Sequence, residues 1–126
     1  MNHAQFIKRN TVYKFEGDTV SLVDVHDNNT LTPLDAWMGV IVSLADGQHT
    51  VAQLVQHMAA QYPEGPPDNL AATIESVIKR LMESDVVSLT FQPTTLPYYL
   101  SMPIDELDPK VATDTMVNDG FLKPPG

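Results

Sequence analysis

Residues 30–91 read TLTPLDAWMGVIVSLADGQHTVAQLVQHMAAQYPEGPPDNLAATIESVIKRLMESDVVSLTF, and each helix in this stretch carries its own start and stop. Thr32 is an N-cap type. Pro33 follows at a first helical position, where a missing N–H leaves nothing unsatisfied, and Asp35 lies at capping-box distance. Leu34, Trp37, Met38, Ile41 and Leu44 recur at helical spacing. Asp46-Gly47 closes the segment, with Gly suited to a left-handed C-terminal cap. Thr50 and Gln53 form a capping box for a second helix, whose apolar stripe is Val51, Leu54, Val55 and Met58 and which ends at Tyr62-Pro63. After the rigid loop Glu64-Gly65-Pro66-Pro67, Asp68 or Asn69 opens a third helix. Leu70, Ile74, Val77, Ile78 and Leu81 share one of its faces, and Glu75 and Lys79 stand as an i,i+4 ion pair. Val86 to Phe91 is strand-like.

Outward from this core, residues 1–11 carry Lys8 and Arg9 and no acid, and read as a leading arm. Val12–Glu16 is a strand ending at the turn signal Gly17-Asp18. Thr19–Val25 is the strongest strand of the chain, rich in β-branched residues. It is apolar on both faces, Val20 and Leu22 on one and Val23 and Val25 on the other, so it requires cover on both sides. His26-Asp27-Asn28-Asn29 is a turn, and Thr30-Leu31 a third short strand. Residues 92–126 change character. Pro93, Pro97, Pro103, Pro109, Pro124 and Pro125 interrupt any long helix, yet Tyr98, Tyr99, Leu100, Met102, Ile104 and Leu107 are too apolar for a solvating tail. The fold expected is α+β: a small antiparallel sheet of about three strands, then three helices in a winged-helix-like order, then an extended Pro-rich tail. The expected divisions are an arm at 1–11, a domain at 12–91 and a tail at 92–126.

The totals exclude several classes. At 126 residues the chain is one domain by size. Its net charge is −9, from 7 basic and 16 acidic side chains. That opposes nucleic acid as a partner, because phosphate binding relies on Lys and Arg displacing counterions. Without cysteine there is no disulfide, no thiolate nucleophile and no Cys-ligated zinc. The first residues have no apolar signal-peptide core and no run reaches membrane-spanning length, so a cytoplasmic protein with no membrane partner is expected.

No stretch carries a nucleophile–base pair or a metal-ligand spacing. Asp24, His26 and Asp27 read as a strand end and turn, and His3, His49 and His57 lack mutual ligand spacing. Asp105, Glu106 and Asp108 read as a solvated acidic run or docking element rather than paired catalytic carboxylates. Trp37 shares a face with Leu34, Ile41 and Leu44 and reads as core. Met38, Met58 and Met82 read as gap-fillers.

Leu31 before a capped helix, Asp46-Gly47, Thr50-Val51-x-x-Leu54, Tyr62-Pro63, and an apolar third helix leading to Val86-Val87-Ser88-Leu89 resemble PqqD and the wider PqqD-like recognition elements of ribosomally made, post-translationally modified peptides. The resemblance covers roughly residues 12–91. It implies a non-catalytic module that binds the leader segment of a precursor, or carrier, peptide. The leader adds as a strand on the sheet edge, beside the third helix, and is presented to a modifying enzyme encoded nearby. The implied contacts are Asn28, Thr30, Leu31, Thr32, Ile74, Ile78, Lys79 and Met82; Leu31, Ile74 and Ile78 fit contact and core equally well. The 35-residue extension departs from PqqD and resembles that of a subunit clasping its enzyme. Its apolar residues gain contacts either from this domain or from a partner. The partner is preferred, with Tyr98, Tyr99, Leu100 and Met102 as anchors. No cofactor is expected in this chain; some relatives pair with a multinuclear iron enzyme, whose metal belongs to the partner. The rival function is a winged-helix DNA-binding regulator. Two basic against seven acidic side chains over residues 30–91, a net of −5, weigh against it.

Overall fold

A strand with two apolar faces needs two covers, and the chain supplies both. The structure is a computed structural model that describes residues 1–122. Its strands are β1 (Phe6–Arg9), β2 (Val12–Glu16), β3 (Thr19–Asp24), β4 (Thr30–Pro33), β5 (Asp46–Thr50) and β6 (Val87–Thr90). Its helices are α1 (Ala36–Leu44), α2 (Val51–Ala59), α3 (Leu70–Glu83), α4 (Tyr98–Ser101) and α5 (Pro109–Asn118), with a 3-10 turn at Ile104–Glu106. The fold of the described residues is α+β, with two antiparallel sheets of three strands each, ordered β2-β3-β4 and β5-β1-β6. Among these residues no helix is long and apolar enough to cross a membrane.

The β2-β3-β4 sheet is the expected one. Gly17, at φ +63, turns β2 into β3, and Asn28 and Asn29, at φ 53 and 56, turn β3 into β4, as their tolerance of left-handed backbone allows. The second sheet corrects the expected leading arm. Within residues 1–11, β1 is the central strand, paired with β5 on one side and β6 on the other. Ile7 and Arg9 point inward and are buried, while Phe6 and Lys8 are half-exposed. A charged residue in the inward phase hides the alternation that would mark a strand.

Helix boundaries follow the caps. The α2 capping box is present, with the Gln53 amide donating to Thr50 Oγ1 at 3.1 Å and the Thr50 amide to Gln53 Oε1 at 2.8 Å. α1 begins later than Thr32 and Pro33 suggest, because β4 runs through Pro33 and the N-cap is Asp35, whose carboxylate accepts from the Met38 amide at 2.8 Å. Gly47, at φ +80, lies in β5 and not at the end of α1, whose C-cap is Ala45. Asn69 caps α3 without a side-chain bond. Glu75 meets His3 Nε2 at 2.7 Å rather than the expected Lys79, and this pins the N-terminal residues to α3. That hydrogen bond holds the Glu75 carboxyl below the usual carboxylate range.

The two faces of β3 separate two apolar clusters. Val20 and Leu22 join Ile7, Tyr13, Ile41, Leu54, Ile74 and Ile78 under the three main helices, with Trp37 half-buried at their side. Val12 and Val23 join Tyr99, Leu100, Leu107, Ala112 and Met116, with Val25 packed alongside. The C-terminal segment therefore covers the second face of the β2-β3 hairpin, and the described part of the expected extended tail is folded. Of its prolines, Pro93 lies in the connection after β6, and three stand at element starts: Pro97 and Pro103 as N-caps of α4 and the 3-10 turn, and Pro109 at the first turn of α5. There a missing N–H costs nothing. Pro124 and Pro125 lie outside the described residues.

Candidate functional site

β4 is an edge strand, and all four of its residues are exposed. Its register sets Thr32 opposite Leu22 and Leu31 opposite Val23. The Leu34 amide donates to the Val20 carbonyl at 2.9 Å. Hydrogen-bonded pairs alternate along an antiparallel ladder, so Leu34 and Thr32 turn their backbone toward β3, and Leu31 and Pro33 turn theirs outward. Pro33 has no N–H, and the missing donor falls on the outer side, where an edge strand tolerates it. The outer edge thus offers the N–H and C=O of Leu31 and the C=O of Pro33. Acidic side chains stand at its two ends. Asp24 accepts from the His26 amide at 2.9 Å, Thr30 Oγ1 donates to the Asp27 carbonyl at 2.6 Å, and Asp35 caps α1.

The expected contacts divide. Asn28, Thr30, Leu31 and Thr32 are exposed on this edge and its turn, Leu31 at 38%. Ile74 and Ile78 are 0% exposed within the first cluster and offer no surface, so both are core rather than contacts. Lys79 and Met82 are exposed on α3. That helix packs mainly against α1, α2 and β6, which associates the two residues with the second sheet rather than with β4.

The expected docking anchors are corrected too. Tyr99 and Leu100, 4% and 7% exposed, belong to the second cluster, and Tyr98 is half-buried with its hydroxyl accepting from the Asp108 amide at 2.8 Å. Only Met102 of the four is exposed. Tyr99 donates to Asp119 at 3.2 Å; burial first, then the Asp119 charge and this bond, push its phenol pKa up. Asp108 caps α5 by accepting from the Lys110 and Val111 amides, which gives that carboxylate a local structural role.

The residue that joins the two clusters is Arg9. Its Nε donates to the Leu100 carbonyl at 2.7 Å, and its Nη1 to the Val42 and Ser43 carbonyls at 3.1 and 3.3 Å. The guanidinium carbon lies 4.4 Å from the centroid of the Tyr13 ring. Val42 and Ser43 are in the last turn of α1, where unpaired carbonyls and the helix dipole favour a cation. Burial lowers the Arg9 pKa, while Tyr13 and Asp46 oppose the shift. Nothing in the chain's composition singles Arg9 out; its one signal is its position two residues after Ile7, in the same strand phase. Compared with family models, curated proteins and solved structures, the chain finds no match in any of the three.

Proposed function

We propose that the chain binds a peptide as an added strand on the outer edge of β4 and holds it for a partner enzyme that modifies it. The observation carrying this reading is the exposure of every β4 residue on a sheet edge. Natural proteins normally blunt such edges, and here Pro33 blunts only one end. Strand addition takes affinity from main-chain bonds and specificity from alternate side chains. The PqqD-like punctuation of residues 12–91 supplies the ligand class, the leader segment of a ribosomally made precursor. A winged-helix-like arrangement of α1 to α3 is part of the same reading. In this role the chain is a non-catalytic cytoplasmic subunit, and any iron belongs to the enzyme it serves. The edge also constrains register: the peptide residue facing Pro33 must donate to its carbonyl, because Pro33 returns no donor.

The test is an amide-shift titration of the full chain with a synthetic peptide matching the N-terminal half of a short precursor encoded beside it. Shifts concentrated on residues 28–33, with slowed exchange at the Leu31 amide, support the reading. Shifts confined to α2 and α3, or micromolar binding of random duplex DNA at physiological salt, reject it.

A further inference from the structure

We propose that the outer flank of α1 docks a basic, apolar-anchored segment of a partner protein. From Ala36 to Ala45 the chain has no charged side chain. A surface helix ordinarily turns charged residues outward, and a helix apolar all round is ordinarily enclosed. α1 is enclosed at Gly39, Ile41 and Val42, but Ala36 is exposed and Trp37 and Val40 are half-buried. Two clefts run along this flank and share Ala36 and Val40. The first, of about 390 Å³, lies toward the β2-β3 hairpin and includes the exposed Phe15. The second, of about 250 Å³, lies toward α2 and is walled by Trp37, Met58 and Tyr62. The helix is held close to β3, because a Cβ on Gly39 would lie 3.2 Å from Val20 Cβ. The surface is therefore formed before anything binds, which lowers the ordering cost of association.

Charge selects the occupant. Asp18 and Asp35 stand at the first cleft, the second has no carboxylate and is lined by His57 beside its apolar walls, and neither cleft is lined by Lys or Arg. The whole chain carries −9. An acidic partner meets like charge, and a second copy brings the same carboxylates and the same net charge. A segment with Lys or Arg flanking apolar anchors complements both the clefts and their rim. This surface was hidden from the sequence because Trp37 shares a face with Leu34, Ile41 and Leu44 and read as core. The earlier candidates for partner docking, Tyr99 and Leu100, are occupied within the chain. The proposal does not rest on strand addition at β4.

Trp37 is the single tryptophan, so its emission reports on the second cleft. The probe is a synthetic amphipathic helix of Leu and Lys, with a Leu and Glu helix as its control, titrated into the full chain. The Lys peptide is expected to move Trp37 emission to shorter wavelength and saturate, and the Glu peptide to leave it unchanged. Val40→Lys is expected to weaken binding about tenfold. Thr113→Lys, an equal charge change at an exposed site on α5, is expected to leave it within about twofold. If Val40→Lys does not fold by circular dichroism, Ala36→Lys at the exposed position carries the same test. A silent Trp37, or equal losses at the α1 and α5 sites, overturns the proposal. Leu31→Pro in β4 should leave this binding unchanged, so the two surfaces fail or stand separately.

Discussion

Arg9 is 1% exposed, and what meets its guanidinium is carbonyl oxygen and the face of Tyr13. A buried cation is tolerable only when its donors are satisfied. Here one planar fork ties β1 to the end of α1 and to α4, joining three segments distant in sequence. Arg9→Met should therefore cost roughly 2–4 kcal/mol in urea unfolding, since buried carbonyls lose charge-assisted partners. Arg9→Lys should recover only part of the loss, because an ammonium lacks the fork and the flat face that stacks on Tyr13. Equal midpoints for wild type and Arg9→Met would show that the fork adds nothing. On β4, neighbouring positions separate the proposed peptide binding from stability. Leu31→Pro removes an outward donor and should abolish strand addition with the fold intact, whereas Thr32→Pro removes an inward one, opposite Leu22, and should destabilise the sheet. Peptide titration and thermal unfolding of the two variants distinguish these outcomes.

At the scale of elements, caps were readable and competing uses of one residue were not. Thr50 and Gln53 define α2 in the sequence as they do in the structure. Pro33 suits both the first turn of a helix and an edge strand, and only pairing with β3 decides for the strand. β1 escaped notice because Arg9 occupies an inward position, and α5 because Pro109 reads as a breaker although it starts the helix. The same limit applies to the candidate site: exposure of Thr30 and Thr32 was expected at a short third strand, but Leu31, Ile74 and Ile78 fitted contact and core equally well, and only the packing puts Leu31 at the surface and Ile74 and Ile78 wholly inside. The α1–β5 junction yields a pH prediction. Partial burial pushes the Asp46 carboxyl up, but hydrogen bonds from the His49 ring and from the Gln48 and His49 amides outweigh it, leaving the pKa below its ordinary 3.8. A carboxylate with a depressed folded pKa adds stability above its unfolded value and loses it as pH falls through the folded one. The gap between wild type and Asp46→Asn should accordingly be present at about pH 5 and close as pH falls below about pH 4. Urea midpoints across that range measure it; a gap that persists at the acid end refutes the assignment.

For the whole molecule, the decisive feature is the hairpin that needs two covers. Val20 and Leu22 are covered by the main helices, and Val12, Val23 and Val25 by residues that follow β6. The apolarity of both faces was visible in the sequence; that the second cover comes from the chain's own C-terminal residues was not, because six scattered prolines suggested extension. Ordering roughly thirty residues costs about 1–2 kcal/mol each in backbone entropy. The net stability the segment adds is thus a small difference, and its larger effect is to keep apolar surface from water. A chain ending at Gln92 loses the Leu100 carbonyl on Arg9 and bares Val12 and Val23, which are 1% and 2% exposed in the full chain. It should bind more of a hydrophobic dye than the full chain and self-associate more strongly in sedimentation, because contiguous exposed apolar surface drives association. Val12→Thr with Val23→Thr makes the argument two-sided. The pair should restore a soluble monomer to the shortened chain, and should lower the urea midpoint of the full chain by placing two hydroxyls inside the second cluster. A shortened chain that stays monomeric with an unchanged midpoint would mean that the C-terminal segment rests on the hairpin without covering it.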